Sequence, residues 1–207
     1  MAIKDYDDLN EIQLDVLKEI GNIGAGNAAT SLADMLMTPI DISVPVVRIL
    51  DYEDATERLG GPETMIVGLM IQLEGDFEGM IMFLLEKEFA CMTLNTLMGT
   101  EFTGFSELDE VALSAFKELA NIMAASYVNA IASMTGMRID LTVPDLCIDM
   151  LGAILSVPAI HYANISDKII LIEGEFNGQD THTANHVLLL PDVESLEKTM
   201  TALGIEL

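Results

Sequence analysis

One polar constellation occurs twice in this chain at an offset of ninety-nine residues: Asp15, Glu19, Asn22 and Pro45 answer to Ser114, Glu118, Asn121 and Pro144. The same offset matches Lys18 with Lys117, Ile23 with Ile122, Ala25 with Ala124, Asp41 with Asp140, Glu74-Gly75 with Glu173-Gly174 and Phe77 with Phe176. A period of this length exceeds the roughly 20 to 50 residues of solenoid units, so it predicts two half-domains related by a pseudo-dyad. Each half is small for an independent core, and shared burial within one domain over 1–207 is expected, with repeats at about 8–100 and 106–204.

Leu9, Ile12, Val16, Leu17, Ile20 and Ile23 recur at spacings of three and four, which predicts a helix over about 8–37. Its counterpart is predicted over 106–135, with Ser106 as the N-cap and Asp109 and Glu110 in the first turn. Gly21, Gly24 and Gly26 each cost the first helix roughly 1 kcal/mol relative to alanine, so a close neighbour is expected there. Alternating segments at 40–44 and 139–143 read as half-buried strands ending at Pro45 and Pro144, a position that suits a residue without an N–H.

A hairpin is predicted over 65–73 and 77–85, a second over 169–176 and 187–190, and short helices at about 87–98 and 192–203. The fold class is therefore α+β: two pseudo-symmetric half-domains whose long paired helices pack on an antiparallel sheet. Two departures from the repeat are expected: an added amphipathic helix over 145–156, and a polar insertion over 177–185.

Hydrophobic content of 51% supports a folded core, while 34 acidic against 9 basic residues give a net charge of −25. Such a surface repels phosphate backbones and anionic lipid, which argues against nucleic-acid and membrane partners. It also keeps an apolar, Met-rich protein soluble. Cys91 and Cys147 sit in apolar stretches and read as buried free thiols. The first residues lack the features of a signal peptide, and no apolar run spans a membrane, so a cytoplasmic location is expected.

On a helix, residues 15, 19 and 22 lie at i, i+4 and i+7 and form one stripe, as do 114, 118 and 121. A solvated helix face would account for a single copy. It gives no reason to repeat Glu and Asn together. A carboxamide is no proton base at neutral pH, but it donates and accepts hydrogen bonds and so can fix a water. Hydrolysis of an activated phosphate needs little more than such orientation of the attacking water. The Glu is better suited to anchoring a cation than to acting as a general acid.

The pattern Asp/Ser, three residues, Glu, two residues, Asn, twenty-two residues, Pro resembles the signature of the CheC/CheX/FliY phosphatases of bacterial chemotaxis. The stretch Leu17-Lys-Glu-Ile-Gly-Asn-Ile-Gly-Ala-Gly-Asn-Ala-Ala-Thr30 strengthens the likeness, which extends over nearly the whole chain. The resemblance implies dephosphorylation of the response regulator CheY, with Asn22 and Asn121 positioning water and Glu19 and Glu118 bonding a regulator lysine. Asp15 and Ser114 would shape the docking face. The Mg²⁺ would belong to CheY, with no cofactor of the chain's own.

The family also binds the receptor deamidase CheD, and that contact would fall on Asp149, Met150, Gly152 and Ala153. A competing reading is a non-catalytic module that sequesters CheD; intact Glu and Asn in both copies favour the enzyme. Other signals carry less. The glycines at 21, 24 and 26 lack the Gly-Lys-Ser/Thr of a phosphate loop, His182 and His186 are four apart but lack a third ligand for a metal, and His161 is isolated.

Overall fold

Helices α1 (Glu11–Leu36) and α4 (Glu110–Thr135) begin at equivalent caps. Asn10 accepts from the N–H groups of Ile12 and Gln13, and Gln13 returns a bond to the Asn10 N–H at 2.9 Å. Asp109 accepts from the Ala112 N–H at 2.8 Å, satisfying donors that a helix start leaves free. Ser106 is not the cap of α4; it lies in a short 3-10 turn, Phe105–Glu107, and Asp109 holds the position equivalent to Asn10. The computed structural model describes residues 3, 5–38, 41–42, 46–162, 166–177 and 182–206. Pro45 and most of the strand expected at 40–44 lie outside the described residues.

Between the two long helices run β1 (Asp41–Ile42), β2 (Val46–Asp51), α2 (Tyr52–Arg58), β3 (Met65–Gly75), β4 (Gly79–Leu85) and α3 (Lys87–Met98). After α4 come β5 (Ile139–Leu141), β6 (Asp145–Met150), α5 (Leu151–His161), β7 (Lys168–Asn177), β8 (His182–Pro191) and α6 (Val193–Ala202). The eight strands form one antiparallel sheet in the order β1-β7-β8-β4-β3-β5, with β2 also on β7 and β6 also on β3. The edge strands are exchanged: those of the first repeat pair with the hairpin of the second, and the reverse. At the centre β4 and β8 pair, with Met82 opposite Leu188.

Alternation along β3 divides the core. Val67, Leu69, Ile71 and Leu73 face the layer of α1, α3, α4 and α6, whereas Ile66 faces α2 and α5 on the other side. The long helices pack on each other through small residues. A Cβ added at Gly24 would lie 2.3 Å from the Tyr127 ring, and one at Gly21 would lie 2.8 Å from Val47. Gly26 meets nothing within 4 Å, so close approach explains two of the three glycines. Ser31 and Ser126 add a hydroxyl contact of 3.3 Å between the two helices.

Three expectations are corrected. Residues 145–150 are the edge strand β6 and not the start of an added helix; Leu146 and Ile148 turn toward the core while Asp145, Cys147 and Asp149 are exposed. Helix α5 starts at Leu151 and has a seven-residue counterpart, α2, in the first half, so the repeats differ in helix length and not by an insertion. Cys147 is exposed and Cys91 half-buried, because alternation on β6 turns the former outward. Of the insertion expected at 177–185, the described residues are strand: β7 runs to Asn177 and β8 begins at His182, pairing Asn177 with His182.

Glu173 on β7 accepts from Arg58 Nε at 2.7 Å and from Arg48 Nε at 2.9 Å, joining the second repeat to α2 and β2 of the first. Burial alone would raise its carboxyl, but the two guanidinium bonds outweigh it and hold the group below the usual carboxylate range. A depressed carboxylate stabilises the fold above the unfolded value and loses that contribution as pH falls through the folded one. Glu173→Gln is expected to lower stability by about 1 kcal/mol at pH 7. The gap between parent and variant should narrow as the pH is lowered into and below the usual carboxylate range, read from urea midpoints at neutral and at acid pH. In the same assay Gly24→Ala should cost about 1–3 kcal/mol through overpacking against Tyr127, whereas Gly26→Ala should gain about 0.5–1 kcal/mol.

Candidate functional site

Each long helix turns one face to the core and leaves the other to solvent. On α1 the inward residues Leu17, Ile20, Gly24 and Ala28 are buried, which leaves Asp15 and Glu19 exposed one turn apart, with Asn22 half-buried at the end of the stripe. On α4, Phe116, Leu119, Met123 and Tyr127 are buried, and Ser114, Glu118 and Asn121 are all exposed. The folding reason is the same in both copies. The apolar residues at helical spacing decide the rotation of the helix, and the polar stripe is what that rotation leaves outside.

The two stripes are alike in order and different in detail. Asp15 holds Lys18 in an ion pair of 2.7 Å, and both side chains are more than half exposed. Ser114 has no charge to offer Lys117. The Oδ1 of Asn22 is buried and has no hydrogen-bond partner among the described residues, whereas Asn121 stands in solvent. A buried amide oxygen without a donor costs about 1–3 kcal/mol. Glu19 and Glu118 make no ion pair among the described residues and are available to a cation from outside.

Each stripe extends toward its helix start to an exposed aliphatic side chain. Ile12 on α1 is 64% exposed and Val111 on α4 is 63% exposed. Ile12 therefore does not belong to the buried face that its spacing suggested. Both lie three residues before Asp15 or Ser114, so the apolar group leads the polar stripe in either copy. The signal in the sequence was an apolar pair at the repeat offset, in phase with the stripe and not with the core.

Asp149, Met150, Gly152 and Ala153 fall elsewhere, at the junction of β6 and α5. That junction belongs to the layer on the opposite face of the sheet from α1 and α4. Asp149, Met150 and Ala153 are exposed. Gly152 serves packing: its N–H donates to the Pro62 carbonyl at 3.0 Å, and an added Cβ would lie 3.1 Å from the Pro62 ring. Beside them a mostly apolar cavity of about 270 Å³ is lined by Met70, Cys147, Asp149, Ala153, Ile154 and Val157. His186 is buried in β8 and lies 3.1 Å from Glu86.

The architecture is that of a duplicated α+β domain with a Glu/Asn stripe on each of two long outer helices. The family model described as CheC-like matches the chain twice, over residues 12–49 and 111–148, which are the two helices and the strands that follow them. The CheY-P phosphatase CheC of Bacillus subtilis is 31% identical over 206 residues, covering 98% of this chain and 99% of that protein. The flagellar motor switch phosphatase FliY of the same organism is 28% identical over 143 residues, 69% of this chain and 37% of that longer protein. Among solved structures, FliY of Thermotoga maritima superposes with a TM-score of 0.74 at 23% identity, covering 95% of this chain and 98% of that one. The chain belongs to the CheC-like family.

Proposed function

We infer that this chain is a hydrolase that removes the phosphoryl group from the aspartyl phosphate of phosphorylated CheY. The observation that carries the reading is the outward Glu/Asn stripe, present twice, in a chain that aligns end to end with a CheY-P phosphatase. An aspartyl phosphate is a mixed anhydride. Water attacks phosphorus, the bond from phosphorus to the aspartyl oxygen breaks, and the products are a carboxylate and inorganic phosphate, with the water's protons passing to phosphate and solvent. The barrier is modest, and each tenfold acceleration takes about 1.4 kcal/mol.

Asn22 and Asn121 suit that task because an amide can donate from Nδ2 and accept at Oδ1, holding one water in line without deprotonating it first. Glu19 and Glu118, exposed and unpaired, are placed one turn away, where each would anchor a regulator lysine. Asp15 and Ser114 complete the docking face. The Mg²⁺ that offsets part of the charge on the phosphoryl oxygens would come with CheY. No helix among the described residues is long and apolar enough to cross a membrane, which suits an encounter with a regulator in the cytoplasm.

Docking of CheD at the junction of β6 and α5 is a separate, second proposal. It is supported by the exposed Asp149, Met150 and Ala153 beside an apolar cavity, on the sheet face away from the stripes. A partner there would leave both Glu/Asn stripes free, so the two partners need not compete.

The test is phosphate release from CheY held in phosphorylation steady state. The parent should accelerate release, Asn22→Ala and Asn121→Ala should each retain appreciable activity, and the double variant should give none while keeping its circular dichroism spectrum. No acceleration by the parent, with CheD absent and then present, would favour the sequestering module.

A further inference from the structure

In a chain with this acid excess, a basic side chain that reaches a neighbour finds a carboxylate. Of the eight described Lys and Arg residues, six make an ion pair within 4.0 Å: Lys18, Arg48, Arg58, Arg138, Lys168 and Lys198. Lys87 acts on Glu107 and Cys91. Lys117, alone of these eight, has neither a hydrogen bond nor an ion pair nor such a neighbour, and it is exposed. Its place on α4 is particular: it precedes Asn121 by one helical turn and sits next to Glu118.

Lys18 holds the same place beside Asn22, and there Asp15, three residues earlier, takes its charge at 2.7 Å. The repeat thus contains a matched comparison. The charges of the first stripe, Asp15, Lys18 and Glu19, leave one net negative; those of the second, Ser114, Lys117 and Glu118, cancel.

We propose that Lys117 is the docking cation of the second site, recruiting the anionic phosphoryl region of the regulator, and that Asp15 occupies its counterpart and makes the first site the weaker binder. The inference rests on the phosphatase reading above. The physical argument is one of sign. A phosphorylated aspartate brings an oxyanion group carrying nearly two charges, and the chain's overall field of −25 opposes its approach. An unpaired cation one turn from the water-positioning amide offsets that repulsion where the phosphate must arrive. A cation already held by a carboxylate does so less. Because the groups are exposed, the effect is moderate and salt-dependent.

The experiment exchanges the two residues in single-site backgrounds and reads KM and kcat for phosphorylated CheY at low and high salt. In Asn22→Ala, where the second site acts alone, adding Ser114→Asp should raise KM roughly two- to tenfold, with less change in kcat. Lys117→Ala should do the same and Lys117→Arg should restore the parent value. In Asn121→Ala, where the first site acts alone, adding Asp15→Ser should lower KM by a similar factor. Both shifts should shrink at about 0.5 M salt, where the fields of exposed charges are largely screened. Unchanged KM in both exchanges, a change confined to kcat, or a shift that persists at high salt would overturn the role of Lys117. Absence of phosphate release in both single-site backgrounds and in the parent would instead defeat the phosphatase reading, and this inference with it.

Discussion

Strand exchange between the two repeats sets the geometry on which everything else depends. β1 and β2 leave the first repeat to pair with β7, and β5 and β6 leave the second to pair with β3. A buried strand whose N–H and C=O groups lack partners is costly, so each hairpin needs the other repeat's edge strands to complete its ladder. The exchange ties the start of each half to the middle of the other and brings α1 and α4 onto the same face of one sheet. The Arg48, Arg58 and Glu173 cluster reinforces the tie at one edge. Both Glu/Asn stripes then look out from the same layer, carried on helices whose inner faces are locked to the core.

Packing across that dyad is unequal, and the inequality reaches the sites. Positions equivalent by the repeat are Gly24 and Met123, and Ala28 and Tyr127, so small residues on α1 face larger ones from α4. The Tyr127 ring fills the space that Gly24 leaves and lies 6.2 Å from Phe83 across the helix and sheet layers. A duplicated sequence can thus keep the same stripe twice while its supports diverge. Asn22 ends half-buried with an unpaired oxygen and Asn121 ends exposed. The Asp15 and Ser114 difference adds a second asymmetry, one of charge.

Much of this was legible before the fold was known. The two long helices and the candidate residues Glu19, Asn22, Glu118 and Asn121 are written in nearby residues, where helical spacing is a strong signal, and the repeat shows in matching residue types at one constant offset. The differences have separate causes. Residues 145–150 form a short apolar run leading directly into a helix, and periodicity over so few residues does not separate strand from helix; pairing with β3 decides it. The cap of α4 lies three residues later than expected because Ser106 and Asp109 are both N-cap residue types, and it is the turn at Phe105–Glu107 that makes the helix begin after Asp109. Ile12 reads as core by spacing and is exposed because the rotation of α1 is fixed by Leu17, Ile20 and Gly24 against the sheet and α4.

What the sequence by itself determined is local and repeated: two helices of the same length, each with one apolar face, and on each a polar stripe of fixed spacing. Those follow from interactions within a few residues, which a helix brings together wherever it sits. What the tertiary structure decided is which hairpin each edge strand joins, how deeply Asn22 is set compared with Asn121, and that Asp149 and Ala153 face away from both stripes. These rest on contacts between segments that are far apart in the chain, such as Gly24 with Tyr127 and Arg58 with Glu173, and no local pattern encodes which of the many alternative pairings buries the most apolar surface while leaving no ladder open.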